Sequence, residues 1–362
     1  MLSAGDDFPI HQSAEPVALV ADRNFYDRFF FNGYSADGSL FFAAAMGIYP
    51  ALDIIDAAFC VTLNGVQHVL RASAPMDGER MRMAVGPIAI VIDQPLQAAT
   101  IHISDNDGRL RGAIQFNGRH FPIEEPRFTR RVGTRLFMDY TRMTQNGRWT
   151  GWIEVDGQRI DVSDMPGTRD RSWGVRPIGS GDSQPPAMAP QFFWTWTPCN
   201  FDGLSLYFHS NDDGDGRPWN RRAVIARDGA SDCIEYDAPQ FHIDWQAGTR
   251  RVRQMVVDLD GEIRLTLTPR GVPQSHFYMS GLGYTHATWG HGMAHGSGDL
   301  AHDGIAIGAI DDGDFAHRHI QALADAVLTI GGESHAGVGV VEQMFIGPHR
   351  ASGLTGIYDP AA

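Results

Sequence analysis

Short runs in which apolar and polar residues alternate dominate the chain, and Asn-Gly or Asp-Gly dipeptides interrupt them at intervals. Alternation with period two lines one face of a β-strand, and these dipeptides tolerate the positive φ angles of tight reversals. Fifteen of them occur, from Asn32-Gly33 to Asp312-Gly313. Residues 25–31 and 40–48 bracket a turn at 35–39, 57–63 and 66–71 bracket Asn64-Gly65, and 98–104 and 110–116 bracket 105–108. Residues 136–143 and 149–155 flank Asn146-Gly147 in the same way. The pattern resumes after Phe192, with strands expected at 204–209, 223–226, 233–236, 251–259 and 262–268. Turn signals about ten residues apart predict an all-β protein of sandwich or barrel type. One segment, 315–328, carries a helical pattern, with Ile320, Leu323, Ala324 and Val327 on one face.

Residues 179–190, GSGDSQPPAMAP, have no periodicity and the composition of a linker or long loop. They divide the chain into an expected N-terminal β domain, 1–178, and a C-terminal β domain, 191–362. Either part is long enough to bury a core of its own.

Composition removes several function classes. A formal charge of −14 over 362 residues opposes binding to nucleic acid or an anionic membrane. No run approaches the roughly 18 apolar residues of a membrane span, so no transmembrane segment is expected. The opening MLSAGDDFPIHQSAEP lacks the basic and apolar regions of a signal peptide, which makes the cytoplasm the expected compartment. Cys60, Cys199 and Cys233 are too scattered for a zinc knuckle or a disulfide framework and read as free thiols. Phosphate-loop, dinucleotide and nucleophile-elbow motifs are absent, and no cofactor is expected.

Two segments concentrate titratable groups around a Trp-Gly pair: GTRDRSWGVRP at 167–177 and GLGYTHATWGHGMAHG at 281–296. In the first, Asp170 between Arg169 and Arg171 reads either as a salt-bridge knot closing a barrel or as an orienting carboxylate, with Trp173 as a ligand wall. The neighbouring guanidinium groups favour the ionised carboxyl. In the second, His291 and His295 have the spacing of a helical metal pair, but the surrounding glycines oppose a helix, so no metal site is expected. His286 and His291 are candidate proton carriers there, or core and loop-capping histidines, and Tyr284 and Trp289 are candidate ligand contacts. His317 and His319 are expected on an exposed face. Directly after the linker, Phe192, Trp194 and Trp196 share one strand face, either as core or as the wall of a ligand cavity. Glu342 sits in an apolar strand, where a carboxylate must pair or have a raised pKa.

The DRSWG segment after an all-β first half, with GYTHATWGHG in the second, resembles the tandem lipocalin-like superfamily that contains carotenoid hydratases. So do the aromatic strand pair ending in Tyr49-Pro50 and the Val341-Glu342-Gln343 strand. Arg171 stands where that group's Asp-His-x-Trp-Gly motif has histidine. The resemblance implies two lipocalin-like antiparallel β-barrels packed together around an apolar pocket. It also implies a cofactor-independent lyase or isomerase, hydratase-like in its chemistry, acting on a lipophilic, terpenoid or steroid-like substrate. Asp170, His286, His291 and Glu342 are then the candidate catalytic groups, and Trp173, Trp194, Trp196, Tyr284 and Trp289 the candidate substrate contacts. A non-catalytic lipophile-binding protein of the same fold is the alternative, and a carbohydrate-active β protein a weaker one. Homo-oligomerisation is compatible with the sequence.

Overall fold

The computed structural model describes residues 2–11, 22–104, 106, 109–179, 181, 189–271, 275–296, 298–311 and 313–361. Two curled antiparallel sheets form two lipocalin-like β units, and the helices among the described residues are short 3-10 turns. None of these is long and apolar enough to cross a membrane. The first sheet runs, strand beside strand, through Asp299–Ala306, Val66–Pro75, Ile54–Leu63, Leu40–Tyr49, Phe25–Tyr34, Gln158–Val175, Arg135–Val155, Leu110–Gly118, Ala98–Ile103, Ile88–Gln94 and Ala84–Val85. The second runs through Cys233–Tyr236, Pro218–Arg227, Leu204–Asp212, Phe192–Phe201, Glu333–Ile346, Ile320–Ile330, Ile263–Pro269, Val252–Asp258 and Gln240–Trp245.

The chain divides into one unit of Met1–Ala187 with Ser280–Ala306 and another of Met188–Met279 with Ile307–Ala362. This differs from a single passage at 179–190, of which residues 180 and 182–188 lie outside the described residues. The cause is hydrogen bonding. Asp299–Ala306 pairs along its whole length with Val66–Pro75, so the segment belongs to the first sheet although the strands before and after it, His276–Tyr278 and Ile320–Ile330, belong to the second.

Strand alternation sorts each sheet into two faces. One face of the first encloses an apolar core that includes Phe29, Phe31, Phe42, Met46, Phe59, Phe116 and Trp149. Phe193, Cys199, Phe201, Leu206, Phe208, Leu265 and Phe345 belong to the corresponding core of the second. Burying side chains of this size stabilises by about 1.5–3 kcal/mol each.

Two expectations about local structure are corrected. Residues 315–328 are not a helix: a 3-10 turn at Phe315–His317 leads into the strand Ile320–Ile330. Ile320, Ala322, Ala324, Ala326, Leu328 and Ile330 are apolar with strict period two, and pairing on both sides outweighs the helical propensity of the alanines. Nor does Asn146-Gly147 turn the chain, because it lies inside the 21-residue strand Arg135–Val155.

That glycine has a packing role. Gly33, Gly167, Gly147 and Gly118 are register partners in succession, forming a row across four strands. The rings of Phe42, Trp149 and Phe116 lie on this row, and Trp149 Nε1 donates to the Asn32 carbonyl at 2.8 Å. A Cβ on Gly167 would stand 2.2 Å from that same carbonyl oxygen, which is backbone and cannot swing aside. Gly167→Ala is therefore expected to cost about 1–3 kcal/mol by overpacking, seen as a lowered midpoint in thermal unfolding. An unchanged midpoint would contradict the close-approach role.

Candidate functional site

The DRSWG strand illustrates how alternation distributes chemistry. Arg169, Arg171 and Trp173 share the core-facing side with Phe31, Phe29 and Asp27, their register partners, whereas Asp170 and Ser172 face the other way. Asp170 and Trp173 are thus on opposite faces. On the core side, Arg171 pairs with Asp27 at 2.7 Å and lies 3.8 Å from the centre of the Phe29 ring, and Arg169 pairs with Asp7 at 2.7 Å. The N-terminal 3-10 turn Ala4–Asp7 supplies that Asp7, which also accepts from the Leu96 amide. His11 stacks on Trp173 at 3.7 Å and hydrogen-bonds Asp27 and Asp6. Arg171 also holds the Phe8 carbonyl. The N-terminal segment thereby packs onto the core side of this strand, and Trp173 stacks against protein. Burial opposes the charge on Asp27, but Arg171, His11 and Arg80 outweigh it and hold the carboxyl below its ordinary pKa.

The opposite face of the first sheet carries buried polar groups, among them Arg28, Arg71 and Asp170. Arg28 donates to Tyr49 Oη at 3.0 Å and to the Leu282 carbonyl at 3.1 Å, and lies 3.7 Å from Asp56. Arg71 donates to the carbonyls of Gly281 and Ser280. Asp56 accepts from the Gly292 amide at 2.7 Å. These bonds fasten the 280–292 segment to the sheet, and its glycines permit the approach: a Cβ on Gly281 would meet Gln67 at 2.4 Å and Cys60 at 3.0 Å. Burial raises the Asp56 carboxyl despite Arg28. Asp170, on this face, lies 3.7 Å from Arg142, which also binds Glu125 at 2.5 Å.

The titratable groups of 281–296 have definite structural partners. His286 Nδ1 accepts from the amides of Trp289 at 3.0 Å and Thr288 at 3.3 Å, capping its own loop. His291 places Nε2 3.0 Å from the Leu282 carbonyl and Nδ1 3.4 Å from Arg176 Nη2. Those partners assign the proton to Nε2 and leave Nδ1 as acceptor. Tyr284 meets His291 edge-on at 4.3 Å, and Trp289 stacks on His295 at 3.8 Å.

The second unit holds a tighter constellation. Trp194 and Trp196 stand on the face opposite Phe193, Cys199 and Phe201, so they are not part of that unit's apolar core. Trp196 and Glu342 are register partners. Glu342 Oε1 accepts from Trp194 Nε1 and from His319 Nε2, both at 2.8 Å, and Oε2 accepts from Gln321 Nε2 at 2.6 Å. His209, the register partner of Trp196 on the other side, lies 6.3 Å from Trp194, ring centre to ring centre. All of these residues are buried. Burial pushes the Glu342 carboxyl up, but the three donors and the His319 charge prevail and lower its pKa. Of the two options that sequence left for this carboxylate, pairing is the one realised. The partner is a histidine expected on an exposed face; His319 is instead only 4% exposed.

A family model matches residues 2–355. The chain belongs to the family of unknown function DUF8625. No curated protein sequence matches it. Solved structures of similar fold include kievitone hydratase from Nectria haematococca, at 10% identity over 92% of this chain and 95% of that one, with TM-score 0.50. A protein assigned as AttH from Nitrosomonas europaea is 15% identical over 93% and 97%, with TM-score 0.53. CghA with Sch210972 is 13% identical over 94% and 95%, with TM-score 0.51. At these identities the likeness establishes the fold, the tandem lipocalin-like architecture that the DRSWG and GYTHATWGHG segments implied.

The structure thus joins Glu342 with Trp194 and Trp196, and joins Tyr284 with His291. Sequence reasoning missed His319 and Gln321 as the partners of Glu342. The available signal was the strand pattern of 320–330, which puts Gln321 beside Glu342 once the two strands pair.

Proposed function

We propose that this protein is a cofactor-independent lyase or isomerase acting by acid–base chemistry on a lipophilic ligand. His319 is the proton carrier, Glu342 the carboxylate that orients it, and Trp194 and Trp196 the apolar wall. The observation that supports this most is the buried Glu342–His319 pair on a tryptophan-bearing sheet face. A carboxylate that receives three hydrogen bonds stays ionised and fixes the imidazole proton on Nε2, so proton traffic runs through Nδ1. Delivery of a proton to one alkene carbon leaves a cation at the other, and loss of a different proton from the carbon flanking that cation gives an isomer; capture of the cation by water, with release of one proton, gives a hydrate. Indole faces stabilise positive charge in a dry site. A similar fold in a structure named as a hydratase adds support. In this reading Asp170, His286 and His291, each committed to partners in the first unit, position the surrounding structure.

Native mass spectrometry of protein purified from its own host is expected to detect a co-purifying lipophile. Incubation of that ligand with the protein in D2O is expected to introduce deuterium at carbon, and His319→Gln to abolish it. A ligand returned unchanged and unlabelled by the wild-type protein would instead support a lipophile carrier.

A further inference from the structure

Arg176 occupies an unusual setting on the polar face of the first unit. Its guanidinium carbon lies 4.4 Å from the centre of the Tyr26 ring and 5.5 Å from that of Tyr284. Arg28 stands over the same Tyr284 ring at 5.2 Å. Among the described residues no carboxylate lies within ion-pair distance of Arg176, whose side chain meets His291 Nδ1 at 3.4 Å. The Nε atoms of both Arg176 and Arg28 are buried without a hydrogen-bond partner among the described residues. Nearby acids are already engaged: Asp56 with Arg28, Tyr49 and the Gly292 amide, and Asp170 and Glu125 with Arg142.

Buried polar atoms are almost always satisfied by protein, water or ligand, and a guanidinium without a counter-ion in an aromatic enclosure is costly to maintain for stability alone. The enclosure has flat aromatic walls and a planar bidentate donor, carried by an arginine that is half-buried. A carboxylate attached to an apolar body matches both features, since guanidinium binds carboxylate through paired parallel hydrogen bonds. A doubly charged phosphate would require more neutralisation than one arginine without a carboxylate partner among the described residues supplies. We infer that the Arg176–Tyr26–Tyr284 enclosure is a binding site for the carboxylate of an amphipathic organic acid. This site belongs to the first unit and does not depend on the acid–base role given to His319.

Benzoate and its uncharged counterpart benzamide test this on the full chain. Calorimetric titration is expected to give benzoate at least about tenfold tighter binding than benzamide, and Arg176→Met to remove that preference. Should the variant fail to fold, the wild-type protein still decides the matter. Phenylglyoxal modification of Arg176, followed by peptide mass spectrometry, is expected to slow at least about threefold when benzoate occupies about two-thirds or more of the site, and to be unaffected by benzamide. Equal binding of the two probes, or benzoate binding that leaves the Arg176 reaction rate unchanged, overturns the assignment.

Discussion

Asp27→Asn is expected to destabilise the first unit by about 3–5 kcal/mol, the range for breaking one side of a buried ion pair. Asp27 is fully buried and sits between Arg171, at 2.7 Å, and His11, at 3.1 Å, with Arg80 at 3.6 Å. Asparagine keeps the volume but offers a single acceptor and turns an NH2 group toward either a guanidinium or an imidazole. Arg171, itself 1% exposed, would then hold its charge against the Asp6 and Phe8 carbonyls, the His11 ring and the Phe29 ring, with no anion in place of Asp27. For a unit of about 200 residues this loss lowers the thermal midpoint by roughly 6–20 °C. The Trp173 indole, stacked on His11, provides a fluorescence signal for the same transition.

The same network fixes the direction of acid sensitivity. The folded-state pKa of Asp27 is depressed, so the unfolded chain binds more protons between the unfolded value, about 3.9, and the folded one. Its contribution is complete above the unfolded value and is lost as pH falls toward the folded one. Asp6, depressed by Ser3 and His11, and Asp212, depressed by His349, Ser210 and Arg221, act in the same sense. Urea unfolding at several pH values is expected to show stability falling below about pH 4, with a shallower fall in Asp27→Asn. A variant that melts within 2 °C or so of wild type would mean that Arg171 finds compensation elsewhere.

Much of this architecture was legible as pattern. Period-two alternation located most strands within a few residues, because each sheet has one apolar face that dictates register. The errors share a cause. Asn146-Gly147 looked like a turn, since the dipeptide reports backbone permissiveness without saying whether a turn or a ring packed on the strand requires it. Residues 315–328 looked helical because alanine suits both periods, and only the flanking strands decide. Arg169 and Arg171 were readable as a knot, but their acidic partners, Asp7 and Asp27, come from far away in sequence. For the candidate site, Glu342 and the tryptophans were recognisable as residue types out of place in apolar strands. His319 was not, because a histidine just before a strand carries no local sign of which face it joins. The excursion of 280–306 into the first unit is likewise a property of strand pairing across more than 200 residues, which no local pattern encodes.

The strongest functional test is Glu342→Gln. The amide preserves shape and one acceptor, and its NH2 must face either the fixed donors His319 Nε2–H and Trp194 Nε1–H or the Gln321 amide, which has to turn its oxygen to accept. In any of these arrangements the imidazole loses the carboxylate charge that faces it. The turnover number on the co-purifying ligand is expected to fall about 10²–10⁴-fold, the usual contribution of general acid–base catalysis, with KM nearly unchanged. His319→Gln is expected to cost about as much, and the double variant little more than either single one, because the two side chains act as a unit. Trp194→Phe keeps an aromatic face and removes one donor, so its effect is expected to be smaller than that of Glu342→Gln. Because the Glu342 pKa lies below its ordinary value of 4.5, the carboxylate is ionised throughout the neutral range and contributes no acidic limb to the rate profile there. A merely structural carboxylate would behave differently: Glu342→Gln would lower the melting temperature and the amount of folded protein, while the folded fraction turned over at the wild-type rate. That outcome, together with additive losses in the double variant, would remove the pair from the chemistry and leave the second unit's tryptophan face as a binding surface only.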